Sequence, residues 1–197
     1  IVMTLGNLEL QQYVINTKDD ISLRNCGQLH SLLFKYVPYP DDNGKFRDGT
    51  ALLKRGTIQP VPYYEINDRI NELDKELQFF MKNIDQYEIG KYIEQVAYFT
   101  YKFIVIHPFR DGNGRISRAI MNWLLSKKKI PPIYIDQKCR KEYYDALSKI
   151  DLEEDPVPFI MFIEKRIIHT MIELHRYLFV DEIDEEEINE EAEVNGN

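Results

Sequence analysis

Apolar residues recur at helical spacing through most of this chain. Ile66, Ile70, Leu73, Leu77 and Phe80 share one face of a helix predicted to begin near Pro62, a residue suited to a first turn. A second helix is predicted from about Glu88 to His107, with Ile89, Ile93, Val96, Ala97, Thr100, Phe103 and Ile104 on its inner side. Pro108 stops it, because proline lacks the N–H that would extend the ladder. A third opens at Asn113 or Gly114 and turns Ile116, Ile120, Trp123 and Leu124 inward. It closes on Lys127, Lys128 and Lys129, whose charge suits a helix C-terminus, before the break at Pro131 and Pro132. Gln137 to Ile150 reads as a further helix. Asp155-Pro156 then supplies an N-cap and a first-turn proline for a long helix to about Phe179, with the stripe Phe159, Ile163, Ile167, Met171, Leu174 and Leu178.

Closer to the N-terminus, Leu23 to Tyr36 is predicted helical, and turn residues from Pro38 to Gly44 lead into Gly44-Lys45-Phe46-Arg47. Between Thr50 and Pro60 the helical pattern fades and a short hairpin is predicted. The expected fold class is therefore all-α, a helical bundle with one short β-hairpin. Residues 181–197 are nearly all acidic or polar, and are read as a disordered tail that cannot bury enough surface to order itself. Residues 23–180 form the expected domain, preceded by a separate N-terminal segment, 1–22.

With 197 residues, 44% of them apolar, the chain is long enough for one substantial core and short enough for a single domain. A formal charge of −8 argues against a nucleic-acid partner, whose phosphates demand a basic face. Cys26 and Cys139 have no metal-site or staple spacing and read as free thiols. The apolar stretch from Tyr98 to Ile106 is too short to span a bilayer and is broken by Lys102, so no membrane association is expected. The expectation is a cytoplasmic protein, with a secreted effector as the alternative. Ile1 is not an initiator Met, which leaves room for residues upstream of it.

The chemistry concentrates in His-Pro-Phe-Arg-Asp-Gly-Asn-Gly-Arg-Ile-Ser-Arg, His107 to Arg118, between two predicted helices. Gly112 and Gly114 flank Asn113 and permit backbone angles closed to other residues, so that successive N–H groups can point into one anion-binding concavity at a helix N-terminus. Arg115 and Arg118, three apart on the first turn, can hold a polyphosphate. Asp111 offers a hard oxygen ligand of the kind that Mg²⁺ shares with substrate phosphates. His107 is the residue here able to take a proton near neutral pH. A nest, a metal carboxylate and a base are the equipment of phosphoryl or nucleotidyl transfer. Alone, a histidine at a helix end is more often a cap and Asp-Gly-Asn-Gly more often a turn; their coincidence at fixed spacing favours chemistry.

This stretch resembles the Fic family signature, HxFx(D/E)GNGRxxR, at every defined position. Gly44 to Arg47 with Pro60-Val61-Pro62 resembles the family's flap region, and Arg140, Tyr143, Tyr144 and Leu147 resemble the helix beside its nucleotide. The resemblance implies an enzyme that transfers AMP from Mg-ATP to a Ser, Thr or Tyr hydroxyl of a target protein. His107 would be the catalytic base and Asp111 the Mg²⁺ ligand. Gly112, Asn113, Gly114, Arg115 and Arg118 would bind the phosphates, Tyr144 the adenine, and Phe109 would anchor the loop in the core. The flap, Thr50, Ala51, Leu52, Leu53 and Lys54 foremost, would pair with an extended stretch of the target.

The family's inhibitory helix carries (S/T)xxxE(G/N), and no serine or threonine here is followed by a matching glutamate. The nearest trace is Leu5-Gly6-Asn7, with Leu5 at the glutamate position and Ile1 at the Ser/Thr position. Chance accounts for a Gly-Asn pair more readily than descent from such a helix; the competing expectations are that segment 1–22 is a degenerate remnant of the regulatory helix, that the brake lay upstream of Ile1, or that a separate inhibitor protein is a partner. Two rival functions share the loop. A de-modifying hydrolase is opposed by the missing glutamate, and a non-catalytic nucleotide-binding module by the intact His107 and Asp111.

Overall fold

A computed structural model describes residues 2–38, 43–51 and 57–194, with side chains as far as Phe179. Among the described residues there are seven α-helices and no strand: α1 Val2–Asn16, α2 Cys26–Leu33, α3 Ile66–Lys82, α4 Ile89–Ile106, α5 Asn113–Lys127, α6 Arg140–Glu153 and α7 Val157–Val194. The expected hairpin centres on residues 52–56, which lie outside the described residues.

Helix α5 is the hub. It packs against α4 on one side and α1 on another, while α3 and α7 flank α4, and α6 lies on α7. Because neighbours surround it, α5 is buried well beyond the four positions that its spacing marks: Ala119, Met121 and Leu125 are also fully enclosed. Its buried Asn122 is satisfied. Asn122 donates to Gln11 Oε1 (3.0 Å) and the Ile133 carbonyl (3.2 Å), and accepts from the Ile133 N–H (3.0 Å). Tyr92 on α4 donates to the Leu124 carbonyl at 2.6 Å, tying the central pair together.

The N-terminal segment is a packed helix. Gly6 brings α1 so close to α2 that a Cβ there would sit 2.0 Å from the Leu33 carbonyl oxygen. Leu5, beside it, is exposed. The entry to α2 is fixed from α3, where buried Asp74 accepts from the Leu23 N–H (2.6 Å) and the Ser22 hydroxyl (3.1 Å) and pairs with Arg24 (3.2 Å).

Several boundaries differ from the expected ones for local reasons. A 3₁₀ turn over Leu23–Asn25 precedes α2. Asp136 Oδ1 accepts from the N–H groups of Lys138 (2.9 Å) and Cys139 (3.0 Å), and this turn delays α6 to Arg140. Ile89 opens α4 and faces solvent rather than the core. Asp155 accepts from the Val157 N–H at 3.0 Å as α7 begins. Phe159, Ile163 and Ile167 are buried, but Met171, Leu174 and Leu178 of the same stripe are exposed, because the bundle ends beneath them. The helix runs on past Phe179 to Val194.

Candidate active site

The turn from α4 to α5 is built by its own side chains. His107 ends α4 in the left-handed region (φ 49°, ψ 58°), and its N–H still closes on the Phe103 carbonyl. Asn113 then locks the loop: its Oδ1 accepts from the Phe109 N–H (2.9 Å) and its Nδ2 donates to the Phe109 carbonyl (2.7 Å). Its amide is thereby consumed, which leaves only the backbone of Asn113 to meet an anion. Phe109, expected as the anchor, is fully buried between the rings of His30 (4.3 Å) and Phe46 (5.6 Å).

The two glycines differ. Gly112 has φ 86°, and a Cβ on it would meet Phe34 and Leu33 at 2.8 and 2.9 Å, so neither the angle nor the space admits a side chain. Gly114 has ordinary helical angles, contrary to the expectation that both need special ones; a Cβ there would meet Arg118 Nη1 at 3.4 Å, on the side where α5 begins. The first turn of a helix leaves its N–H groups without carbonyl partners, and those of Asn113 and Gly114 stand at that end.

Asp111 is the exposed acid of the site, its side chain 74% accessible. Its Oδ1 accepts from the Gly112 N–H at 2.6 Å, and Oδ2 pairs with Arg115 at 3.1 Å. Arg115 also lies over the Phe34 ring at 5.3 Å. No group of three or more metal-ligating side chains occurs among the described residues. A single accessible carboxylate beside a helix N-terminus does fit a Mg²⁺ ion that arrives on nucleotide phosphates, since such an ion takes one or two protein carboxylates and keeps phosphate and water for the rest. Arg118 turns to a cavity of about 260 Å³ that it shares with Asp136, Arg140, Tyr143 and Tyr144. Arg140 stands 5.8 Å over the Tyr144 ring, and Tyr143 beneath it is buried with its hydroxyl unpartnered.

His107 is mostly enclosed. Burial holds its pKa below the ordinary histidine value; the Ile104 carbonyl pulls it back up, the Arg47 charge adds to the lowering, and Asp111 opposes it. Nδ1 is buried and makes no hydrogen bond. Behind it lies Arg47, for which the sequence suggested no task beyond its motif. Its guanidinium donates to the carbonyls of His107 (2.8 Å), Gly49 (2.8 Å), Val61 and Ile106, and its own N–H donates to the Pro108 carbonyl (2.8 Å). One buried arginine thus holds both ends of the segment expected to be the flap, and the α4–α5 turn. Of the flap residues, Thr50 and Ala51 continue directly from this clamp, whereas Leu52, Leu53 and Lys54 lie outside the described residues. Val61, on the returning limb, donates to the Val105 carbonyl at 3.1 Å.

The Fic/DOC family matches residues 20–125, more than half of the chain. The chain belongs to the Fic/DOC family. Its Fic domain is 33% identical over 150 residues to a protein adenylyltransferase Fic of Aedes aegypti, covering 76% of this chain and 28% of that relative. The chain therefore spans well under half the length of the curated relatives it matches. The fold resembles that of Fic-1 (residues 134–508) from C. elegans, with a TM-score of 0.70 at 21% identity over 93% of this chain and 52% of the other. It also resembles the BepC protein, a translocated effector of Bartonella tribocorum solved with bound AMPPNP, with a TM-score of 0.67 at 16% identity and 83% coverage of both chains.

Proposed function

We propose that this Fic domain transfers AMP from Mg-ATP to a Ser, Thr or Tyr hydroxyl of a target protein and releases pyrophosphate. The observation that carries the reading is the convergence, within one locked turn, of an imidazole, an accessible carboxylate and the open N-terminus of α5. The names of the insect relatives and the nucleotide analogue bound in the Bartonella structure support it.

With Nδ1 turned inward, Nε2 of His107 takes the proton of the attacking hydroxyl. The hydroxyl oxygen bonds to the α-phosphorus as the bond to the α–β bridging oxygen breaks, and pyrophosphate carries away that electron pair. The backbone N–H groups of Asn113 and Gly114, with Arg115 and Arg118, offset the charge of the leaving phosphates. Asp111 is the residue to hold Mg²⁺, which supplies further charge neutralisation when bound. Tyr144 and Arg140, facing the cavity beside Arg118, offer a surface for the base. The target enters along the flap as an added strand, steadied through the roots that Arg47 holds.

Incubation with α-labelled and, separately, γ-labelled ATP and a cell extract tests the reading. Label from the α position alone, lost with His107→Ala, is the expected result. Protein label from the γ position would make this a kinase and overturn the assignment.

A further inference from the structure

We infer that His30, on α2, is a positioning residue that joins the metal-and-phosphate turn to the root of the target flap. It stands outside the signature, is 4% exposed, and lies between Phe34 (4.4 Å) and Phe109 (4.3 Å). Both ring nitrogens are engaged. The Gly44 N–H donates to Nδ1 at 3.0 Å, and Nε2 faces the Asp111 carbonyl oxygen at 3.2 Å. An N–H can only donate and a carbonyl can only accept, so the partners fix the ring as the Nε2–H tautomer.

The consequence lies in which groups are held. The Asp111 carbonyl and the Gly112 N–H belong to one peptide unit, and that N–H meets Asp111 Oδ1 at 2.6 Å. His30 therefore grips one edge of a planar unit whose other edge aims the Asp111 carboxylate. On its opposite side it fixes Gly44, held at φ 77° in a slot where a Cβ would come within 2.7 Å of Ser31 Oγ. Three residues later the same strand of chain reaches Arg47, which binds the His107 turn and both flap roots. One imidazole spans the nucleotide side and the target side of the site.

The inference rests on the adenylyltransferase reading for its consequence in catalysis, but its geometry is testable without turnover. The side chain of asparagine reaches the position of Nδ1, and that of glutamine the position of Nε2. His30→Asn is thus expected to keep the Gly44 contact and lose the Asp111 contact, and His30→Gln the reverse. Calorimetry with AMPPNP across a Mg²⁺ titration should show His30→Asn weakened on the order of 10- to 100-fold in apparent Mg²⁺ affinity, with His30→Gln near the native value. Amide hydrogen exchange should be slow at Gly44 and Arg47 in the native chain and in His30→Asn, and fast in His30→Gln. His30→Phe, which fills the same stacked slot, should combine both losses while melting as one cooperative unit. Equal effects of His30→Asn and His30→Gln on both readouts, fast Gly44 exchange in the native chain, or native behaviour of His30→Phe would each overturn the inference. A native chain that binds Mg-AMPPNP but transfers no AMP would remove the adenylyltransferase reading and leave these readouts to decide the role of His30.

Discussion

At the α4–α5 turn, Phe109 is fully buried and the Asn113 side chain is hydrogen-bonded at both ends. Along α7 beyond Ile167, Met171, Leu174 and Leu178 are 55%, 45% and 56% exposed, although their spacing is as regular as that of any buried stripe in the chain. The difference is one of neighbours. The turn lies where α2, the Gly44–Arg47 segment and α5 meet, so Phe109 finds rings to pack on and the Asn113 side chain finds its partners. Distal α7 projects past the end of the bundle, where periodicity still makes a helix but supplies nothing to bury it against. A site that must aim a base and a carboxylate needs the first kind of surroundings, because positioning is what transfer at phosphorus requires.

That contrast can be broken most sharply at the base. His107→Ala should lower AMP transfer by about 10²- to 10⁴-fold while leaving the melting temperature almost unchanged, measured by α-label transfer and calorimetry. A parallel fall in melting temperature would mean that His107 is chiefly structural. Next in size, Phe109→Ala should cost about 3–5 kcal/mol in denaturant unfolding, whereas Leu174→Ala on the exposed stripe should stay within about 0.5 kcal/mol. Equal costs would show that distal α7 is covered in solution.

Asn113→Ala leaves the buried N–H and carbonyl of Phe109 without their partner, and should cost about 1–3 kcal/mol for each group left unsatisfied, together with activity. A loss of activity without a loss of stability would assign the Asn113 amide to the phosphates instead. The smallest effect expected is in pH. Burial lowers the His107 pKa, so its neutral form persists below the ordinary value of about 6.5. The acid limb of kcat/KM should therefore lie below that value. The sign for stability agrees: the unfolded chain takes up the proton first, so the contribution of His107 is present above about pH 6.5 and declines as pH falls below it.

The helices and the build of the turn between α4 and α5 were legible because both depend on short-range geometry. Apolar spacing of three and four residues writes a helix face directly into the chain, and Pro108, Gly112 and Asn113 act on residues no more than a few positions away. The position of Arg47 in the sequence revealed nothing of the four carbonyls it holds, which come from Gly49, Val61, Ile106 and His107. The sequence carries no mark of the contact between His30 and Asp111, which lie 81 positions apart. Nor was the packing of α1 legible: its apolar pattern is weak, and its place is set by the close approach at Gly6 and by Asn122, 111 positions from Gln11.

The sequence by itself determined that this chain makes helices and brings a histidine, a carboxylate and a glycine-flanked helix start into one turn, because those properties follow from neighbours along the backbone. Only the tertiary structure decided which regular stripe is buried, and which distant arginine and histidine hold the turn in place. Burial and hydrogen-bond partnership across many residues depend on how helices meet in space, and linear spacing carries no record of that meeting.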